Sequence, residues 1–384
     1  MKKILWLTSW YPNKLEPLSG DFIERHAKAA SILNNVTVIH IEKDGVNAQS
    51  YTEEVTQRKY KNYPNLTAIT GYYRTHATGL RSFIQYIRFQ KKLIRQFIRD
   101  NGKPDLVHVH ISFKGGIGAL YCKWRYGIRY VVSEQWTIFC PEAKPSLKNQ
   151  SLPARKLIGL IFKQAAHTSA VSEYLAHSIA DLYRIKLPVH IPNVVNPALF
   201  FLQPGKHDVF TFVHVSVLNF QKSPFDIIEA IRMARKKDDR FKVIIYGPHV
   251  REVAERIRFH RLENVIDYRS ETSQDVLAAE VRRCHSLILY SRFETFGCVV
   301  VEALAAGLPV IVSDITVMHE LVQQHVNGVF VPLEKPELLA EKMIEMKNDY
   351  ALFNTKKIAV DAQHNYSYSR IGSDFARLYA SLDS

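Results

Sequence analysis

The 384-residue chain has only four cysteines, Cys122, Cys140, Cys284 and Cys298. None form a Cys-x-x-Cys pair and none stand at zinc spacing with histidine, so neither a disulfide framework nor a zinc module is expected. Buried free thiols in a reducing cytoplasm are the expectation. No stretch reaches the roughly 18 apolar residues that a membrane-spanning helix needs. The apolar run after Lys2 and Lys3 is short, and Pro12-Asn13-Lys14 stops it without a small-residue cleavage site. It is read as a first β-strand rather than a leader. Low-complexity tracts and solenoid-type repeats are also absent. What remains is an ordinary globular composition, 47% hydrophobic and 23% charged, in a chain of about twice the common domain size. Two domains are expected.

Acidic residues are scarce in one half only. Residues 1–194 hold 28 Lys+Arg against 13 Asp+Glu, a net of +15, and residues 195–384 hold 23 against 24, a net of −1. All of the excess positive charge therefore lies in the first half, which points that half toward an anionic partner.

Short apolar runs alternate with helical patterns along the whole chain, the mark of a parallel sheet covered by helices. The first-half strands are expected at 3–8, 36–41, 106–110, 130–133, 167–170 and 189–191. Those of the second half are expected at 210–215, 242–246, 265–268, 286–290 and 309–312. Each half has enough strands for its own doubly wound sheet. Ile191-Pro192-Asn193-Val194-Val195-Asn196-Pro197 reads as a linker. The expected domains are thus 1–194 and 195–364, with a final helix over 365–382 whose apolar residues recur at helical spacing and which can pack back on the first domain.

Ser291 to Asp314 carries the densest signal. A buried strand (286–290) leads through a loop (291–295) into a helix expected over 296–306, with Gly307 at its C-terminal cap. In a doubly wound sheet this loop lies where ligands bind. Free N–H groups at the helix start attract a phosphate, and Gly297 permits close approach. Glu294 and Glu302 are eight positions apart. Carboxylates accept hydrogen bonds from hydroxyls, so two of them beside a phosphate site suit a diphosphate with a sugar on each side. Glu294 alone is explained equally well by the helix dipole. Glu302, set among Val299, Val300, Val301, Ala303 and Leu304, must be partnered if buried.

This stretch resembles the signature of the retaining group 1 glycosyltransferases, glycosyltransferase family 4. The two glutamates, Ser291 and Ala305-Ala306-Gly307-Leu308-Pro309-Val310-Ile311 carry the likeness, continued by His319–Pro332, Pro104–His110 and the linker with Phe200. The resemblance implies the GT-B fold, α/β with two Rossmann-like doubly wound domains facing across a cleft. It implies a retaining, metal-independent hexosyltransferase. Glu294 would contact donor-sugar hydroxyls and Glu302 the ribose. The amides of Phe296, Gly297 and Cys298 would hold the diphosphate and sugar. Lys222 would neutralise the leaving diphosphate, a sound role for a fixed cation, though position apart it is also an ordinary loop lysine. Gly20 stands where the family's N-terminal glycine-rich loop approaches the substrates, and equally serves a turn.

Two departures matter. The family's Gly-Arg-Leu triplet is Ser216-Val217-Leu218 here, so one phosphate cation is missing, and Arg292 and Lys222 are the candidates to compensate. Where relatives carry a histidine after Ser-Glu, this chain has Gln135, which can hydrogen-bond a hydroxyl but cannot act as a base. No Asp-x-Asp occurs, so no metal cofactor is expected. A catalytically weak or inactive nucleotide-sugar-binding homologue is the alternative. An epimerase of the same architecture is disfavoured by the Glu-to-Glu block.

The expected partners are a nucleotide-sugar (UDP- or GDP-linked) and a glycan or lipid-linked acceptor in surface polysaccharide synthesis. Residues 80–99 form an amphipathic helix, with Phe83, Ile84, Ile87, Ile94, Phe97 and Ile98 expected on one face. Arg81, Arg88, Lys92, Arg95 and Arg99 are expected on another. The basic face suits peripheral contact with an anionic membrane, at the inner face of the cytoplasmic membrane. No nucleic-acid-binding motif is present, so no nucleic acid partner is expected.

Overall fold

The computed structural model describes residues 1–45 and 51–382. Contacts divide the chain into two compact units, one of 1–141, 145–194 and 368–384, the other of 142–144 and 195–367.

The first unit holds eight strands. They are β1 (Lys3–Thr8), β2 (Asn35–Asp44), β3 (Thr52–Tyr60), β4 (Tyr63–Arg74), β5 (Leu106–His110), β6 (Tyr130–Glu134), β7 (His167–Ala170) and β8 (Val189–His190). Their order is β3-β4-β2-β1-β5-β6-β7-β8, and every pairing is parallel except β3 with β4. Every residue of β5 and β6 is buried, which is why both read as continuous apolar-tolerant runs. The β3–β4 hairpin has no counterpart among the expected strands. β3 is an edge strand of sequence TEEVTQRKY, largely exposed, with no apolar alternation to betray it. The apolar pattern of β4 is broken by Pro64 and by Gly71, where a side chain would collide with Phe89 and Leu93.

The helix Gly79–Asn101 covers this sheet with a face that shares only Ile94 and Phe97 with the expected one. Tyr86, Phe89, Gln90, Leu93, Ile94 and Phe97 are buried, while Leu80 and Ile84 in the first two turns are exposed. The last helix starts at Tyr368, because Tyr366 and Ser367 break it from the helix Thr355–Asn365. It packs on the helix Asp21–Ala30, close enough that a Cβ at Gly372 would meet the Ala29 carbonyl at 2.4 Å. Tyr379 Oη lies 2.7 Å from His108 Nδ1 and ties this helix to β5.

The second unit has six parallel strands: β9 (Phe210–Val215), β10 (Phe241–Tyr246), β11 (Ile266–Arg269), β12 (Ser286–Leu289), β13 (Val310–Ser313) and β14 (Gly328–Val331). The order is β11-β10-β9-β12-β13-β14. Numbered within the unit this is 3-2-1-4-5-6, the Rossmann order, whose switch point lies between β9 and β12. β14 was not among the expected strands; its four residues sit behind a run of polar turn residues. Among the described residues no helix is long and apolar enough to cross a membrane.

Candidate active site

The connections that leave the carboxyl ends of β9 and β12 meet at the switch point of the second unit. After β9 the chain makes a single 3-10 turn, Phe220–Lys222, and enters the helix Pro224–Lys237 through Ser223 at φ 44°. After β12 it runs through Tyr290–Gly297 and enters the helix Cys298–Ala305. The two connections are stitched together. Arg292 N donates to the Gln221 carbonyl (2.7 Å), and Gln221 Nε2 donates to the Phe293 carbonyl (2.8 Å) and to Glu294 Oε2 (3.4 Å). At the centre of the seam, Lys222 Nζ is ion-paired with Glu294 Oε1. The side chains are 16% and 7% exposed, so the pair is largely withdrawn from water while Lys222 keeps an outlet.

The helix after Glu294 starts two residues later than expected. Gly297 takes φ 101°, a conformation outside the right-handed helix, and Phe296 precedes it. A Cβ on Gly297 would lie 2.9 Å from Met318 Cε, so the position needs glycine on both counts. No side chain caps this helix, and its first N–H groups keep the partial positive charge that draws anions. Phe296 points its ring into the core, edge-on to Tyr366 with centroids 5.9 Å apart, and contributes its backbone rather than its side chain to the loop surface. Glu302, in the second turn among buried Val300, Val301, Ala303 and Leu304, is 5% exposed.

Arg292 is not a free cation. Its guanidinium pairs with Asp226 (3.2 Å) and Glu334 (2.6 Å) and lies over the Phe220 ring. Burial raises the Asp226 carboxyl above the usual aspartate range against the pull of Arg292. Where the missing arginine would stand, Val217 is half exposed. The turn around it is held by Ser216 Oγ, which accepts from Leu218 N (3.1 Å) and contacts His214 Nε2 (2.8 Å). His214 also meets the Ile288 carbonyl through Nδ1 (2.9 Å), and burial lowers it to about 4, so it is neutral.

Gly20 and Gln135 belong to the first unit. Gly20 sits at φ 67° immediately before the helix Asp21–Ala30, and a Cβ there would strike the Trp10 backbone at 2.7 Å. Gln135 follows β6 and is buried. Beside it lies Glu134, fully buried, whose carboxylate accepts from the N–H groups of Ser112, Gln135 and Trp136 at 2.9 Å each. Burial still raises its pKa, against those three hydrogen bonds. The sequence did not single out Gln221, Glu134 or His26, the last a buried residue of the helix Asp21–Ala30 whose Nδ1 lies 3.3 Å from Gln135 Nε2; Gln221 next to the motif lysine was the legible one.

Among the described residues, His207, Glu280 and Cys284 form the one cluster with metal-ligand atoms in mutual reach. His207 precedes β9 and Cys284 precedes β12, at the amino ends of these strands, whereas Lys222 follows the carboxyl end of β9. The Glu280 carboxylate is engaged by His207 and Arg269.

Residues 199–362 match the profile of glycosyl transferases group 1, and residues 35–199 match glycosyltransferase family 4. The chain belongs to the group 1 glycosyltransferases. An uncharacterized glycosyltransferase of Methanocaldococcus jannaschii is 28% identical over 71% of this chain and 73% of its own length. Among solved structures, the sucrose-phosphate synthase of Thermosynechococcus elongatus superposes with a TM-score of 0.77 at 17% identity over 99% of each chain. HepE of Anabaena, solved with UDP and glucose, gives 0.75 at 16% identity, covering 99% of this chain and 100% of that one. At such identity these two speak for the fold, and a group 1 glycosyltransferase with the GT-B fold is what the site has to be read as.

Proposed function

We propose that this protein is a retaining, metal-independent glycosyltransferase that moves a sugar from a UDP- or GDP-sugar to a glycan or lipid-linked acceptor in surface polysaccharide synthesis. The observation that carries this reading is the Lys222–Glu294 pair at the switch point of the second unit. In the reaction the bond between the anomeric carbon and the β-phosphate oxygen breaks, and an acceptor hydroxyl oxygen bonds to the same face. The hydroxyl proton passes to the departing phosphate. Charge grows on that diphosphate, and Lys222 with the N–H groups at the start of Cys298–Ala305 is set to stabilise it. Glu294 accepts from sugar hydroxyls and Glu302 from the ribose. Gly297 lets the backbone approach the diphosphate. Within the first unit, Gln135 and Gly20 are read as substrate-contacting residues. The lysine takes the electrostatic part that a metal plays elsewhere.

The basic excess of the first half supports an anionic, lipid-linked acceptor. On the helix Gly79–Asn101, Arg88, Lys92 and Arg95 are exposed, with Leu80 and Ile84 exposed toward its start. That combination suits a peripheral site on an anionic cytoplasmic leaflet. A second reading, a nucleotide-sugar-binding homologue with weak or no turnover, is favoured by Val217 in place of an arginine. Incubating the protein with UDP- and GDP-sugars separates the two. Release of free sugar in the α-configuration of the donor, followed by NMR, supports the retaining enzyme; binding without release supports the second.

A further inference from the structure

We propose that His26 is a positioning residue that sets the direction of the Gln135 amide, turning its oxygen outward as an acceptor for a substrate hydroxyl. The proposal rests on the reading of Gln135 as a sugar-contacting residue.

The logic runs from an unambiguous acceptor. The Pro192 carbonyl can only accept, and His26 Nε2 lies 3.0 Å from it. Nε2 therefore carries a proton. The ring is buried, and desolvation, the Pro192 bond notwithstanding, lowers it to about 4, with Arg25 acting in the same direction. Neutral and protonated at Nε2, the ring leaves a lone pair on Nδ1. Gln135 Nε2 is 3.3 Å from that lone pair. Only the NH2 end of the amide can donate there. The opposite orientation would set two acceptors against each other, so Oε1 must face away from His26.

The segments on either side of this pair are held by further bonds. The Gln135 backbone is held by the Glu134 carboxylate, which also ties it to Ser112 at the start of the helix after β5. The Pro192 carbonyl is held because the helix Asp21–Ala30 grips its segment twice, through His26 and through Arg25 Nη1, which donates to the Val194 carbonyl (3.0 Å). Among the described residues no hydrogen bond reaches Gln135 Oε1. A buried amide whose nitrogen is occupied and whose oxygen is unclaimed selects a donor. Its complement on a substrate is a hydroxyl, not a carboxylate or phosphate oxygen.

The test is a double-mutant cycle on the full chain with nucleoside diphosphate release from UDP-glucose and GDP-mannose as probes. His26→Leu and Gln135→Leu are each expected to lower kcat/KM by up to about tenfold, the scale of one oriented neutral hydrogen bond. The double variant is expected to fall no further than Gln135→Leu alone, and His26→Asn, which keeps an acceptor near the Nδ1 position, to recover part of the loss. Additive losses would overturn the proposal. A Gln135→Leu variant that turns over normally would instead overturn the reading of Gln135 itself. 15N NMR of protein labelled at histidine and glutamine decides the matter where neither probe is turned over. The Nε2–H tautomer for His26, with a shifted Gln135 side-chain amide in His26→Leu, supports it; the Nδ1–H tautomer or an unmoved amide overturns it.

Discussion

Lys222 and Glu294 stand 72 residues apart in the chain and form an ion pair where the connections after β9 and β12 meet. Neither residue is held by its own element alone. The pairing follows from the strand order, which makes β9 and β12 neighbours although three helices and two strands separate them in sequence. On the proposed reading, a donor entering this site would exchange a carboxylate for a diphosphate at Lys222 and a cation for hydroxyls at Glu294.

Lys222→Ala is expected to lower kcat about a hundredfold or more, the scale of losing one preorganised charge partner of the transition state. It also leaves Glu294 without its cation, so thermal unfolding should occur at lower temperature, and adding Glu294→Gln should recover much of that stability. Steady-state kinetics and calorimetry on the two variants check both halves.

Glu294→Ala should lower turnover more than donor binding, because on the proposed reading its hydroxyl contacts would lie at the reacting sugar. Unchanged turnover with bound donor would remove Glu294 from the site.

Gly297→Ala should both destabilise the second unit and weaken donor binding. The residue would have to hold φ 101° with a Cβ 2.9 Å from Met318, a strain of about 1–3 kcal/mol. Denaturant unfolding measures the first effect and donor titration the second.

Acid should unfold the protein early. His26 and His214 are held neutral by burial, each lowered to about 4 from 6.5. His108 and His110 are lowered well below 6.5 for the same reason. A histidine with a depressed folded pKa contributes stability that is complete above its unfolded pKa and is lost as pH falls from there toward the folded value. Unfolding free energy should therefore drop between about pH 6.5 and 4, by on the order of 3 kcal/mol for each of His26 and His214. His110, stacked on Trp6 with neither ring nitrogen hydrogen-bonded among the described residues, is the residue to replace. His110→Phe should move the acid midpoint to lower pH; an unmoved midpoint would remove His110 from the cause.

Neutralising Arg88, Lys92 and Arg95 together should weaken binding to anionic vesicles about a hundredfold, at roughly 1 kcal/mol for each cation near the surface. Lys92 is already paired with Glu53 (2.5 Å), so its share should be the smallest of the three. Sedimentation with vesicles at two salt concentrations reads the effect, and retention of the triple variant would make this helix plain scaffold.

Much of this arrangement was legible in the sequence because it depends on local apolar runs. β1, β5 and β9 lie where the runs placed them, since each is almost wholly buried and needs no partner to be recognised, and β7, half-buried, lies where it was expected too. The β3–β4 hairpin was not legible: β3 is polar and draws its register from β4 alone. The buried stripe of Gly79–Asn101 was legible at Ile94 and Phe97 but misassigned in its first half, because Phe83 and Ile87 are as apolar as Phe89 and Leu93 and only the sheet beneath decides which are covered. Within the site, Glu294 and Glu302 announced themselves by their spacing. The contact of Glu294 with Lys222 could not, because it depends on which strands become neighbours. The Pro192–His26–Gln135 chain was hidden for the same reason: its members are separated by 109 and 166 residues.

The most direct test of the nucleotide-sugar site is a calorimetric titration without metal, using UDP- and GDP-sugars against the wild type and Glu302→Ala. One nucleotide class should bind the wild type and lose most of its affinity in the variant. Binding of neither class, or equal binding by both proteins, would contradict the placement of the donor beside Lys222, Glu294 and Glu302.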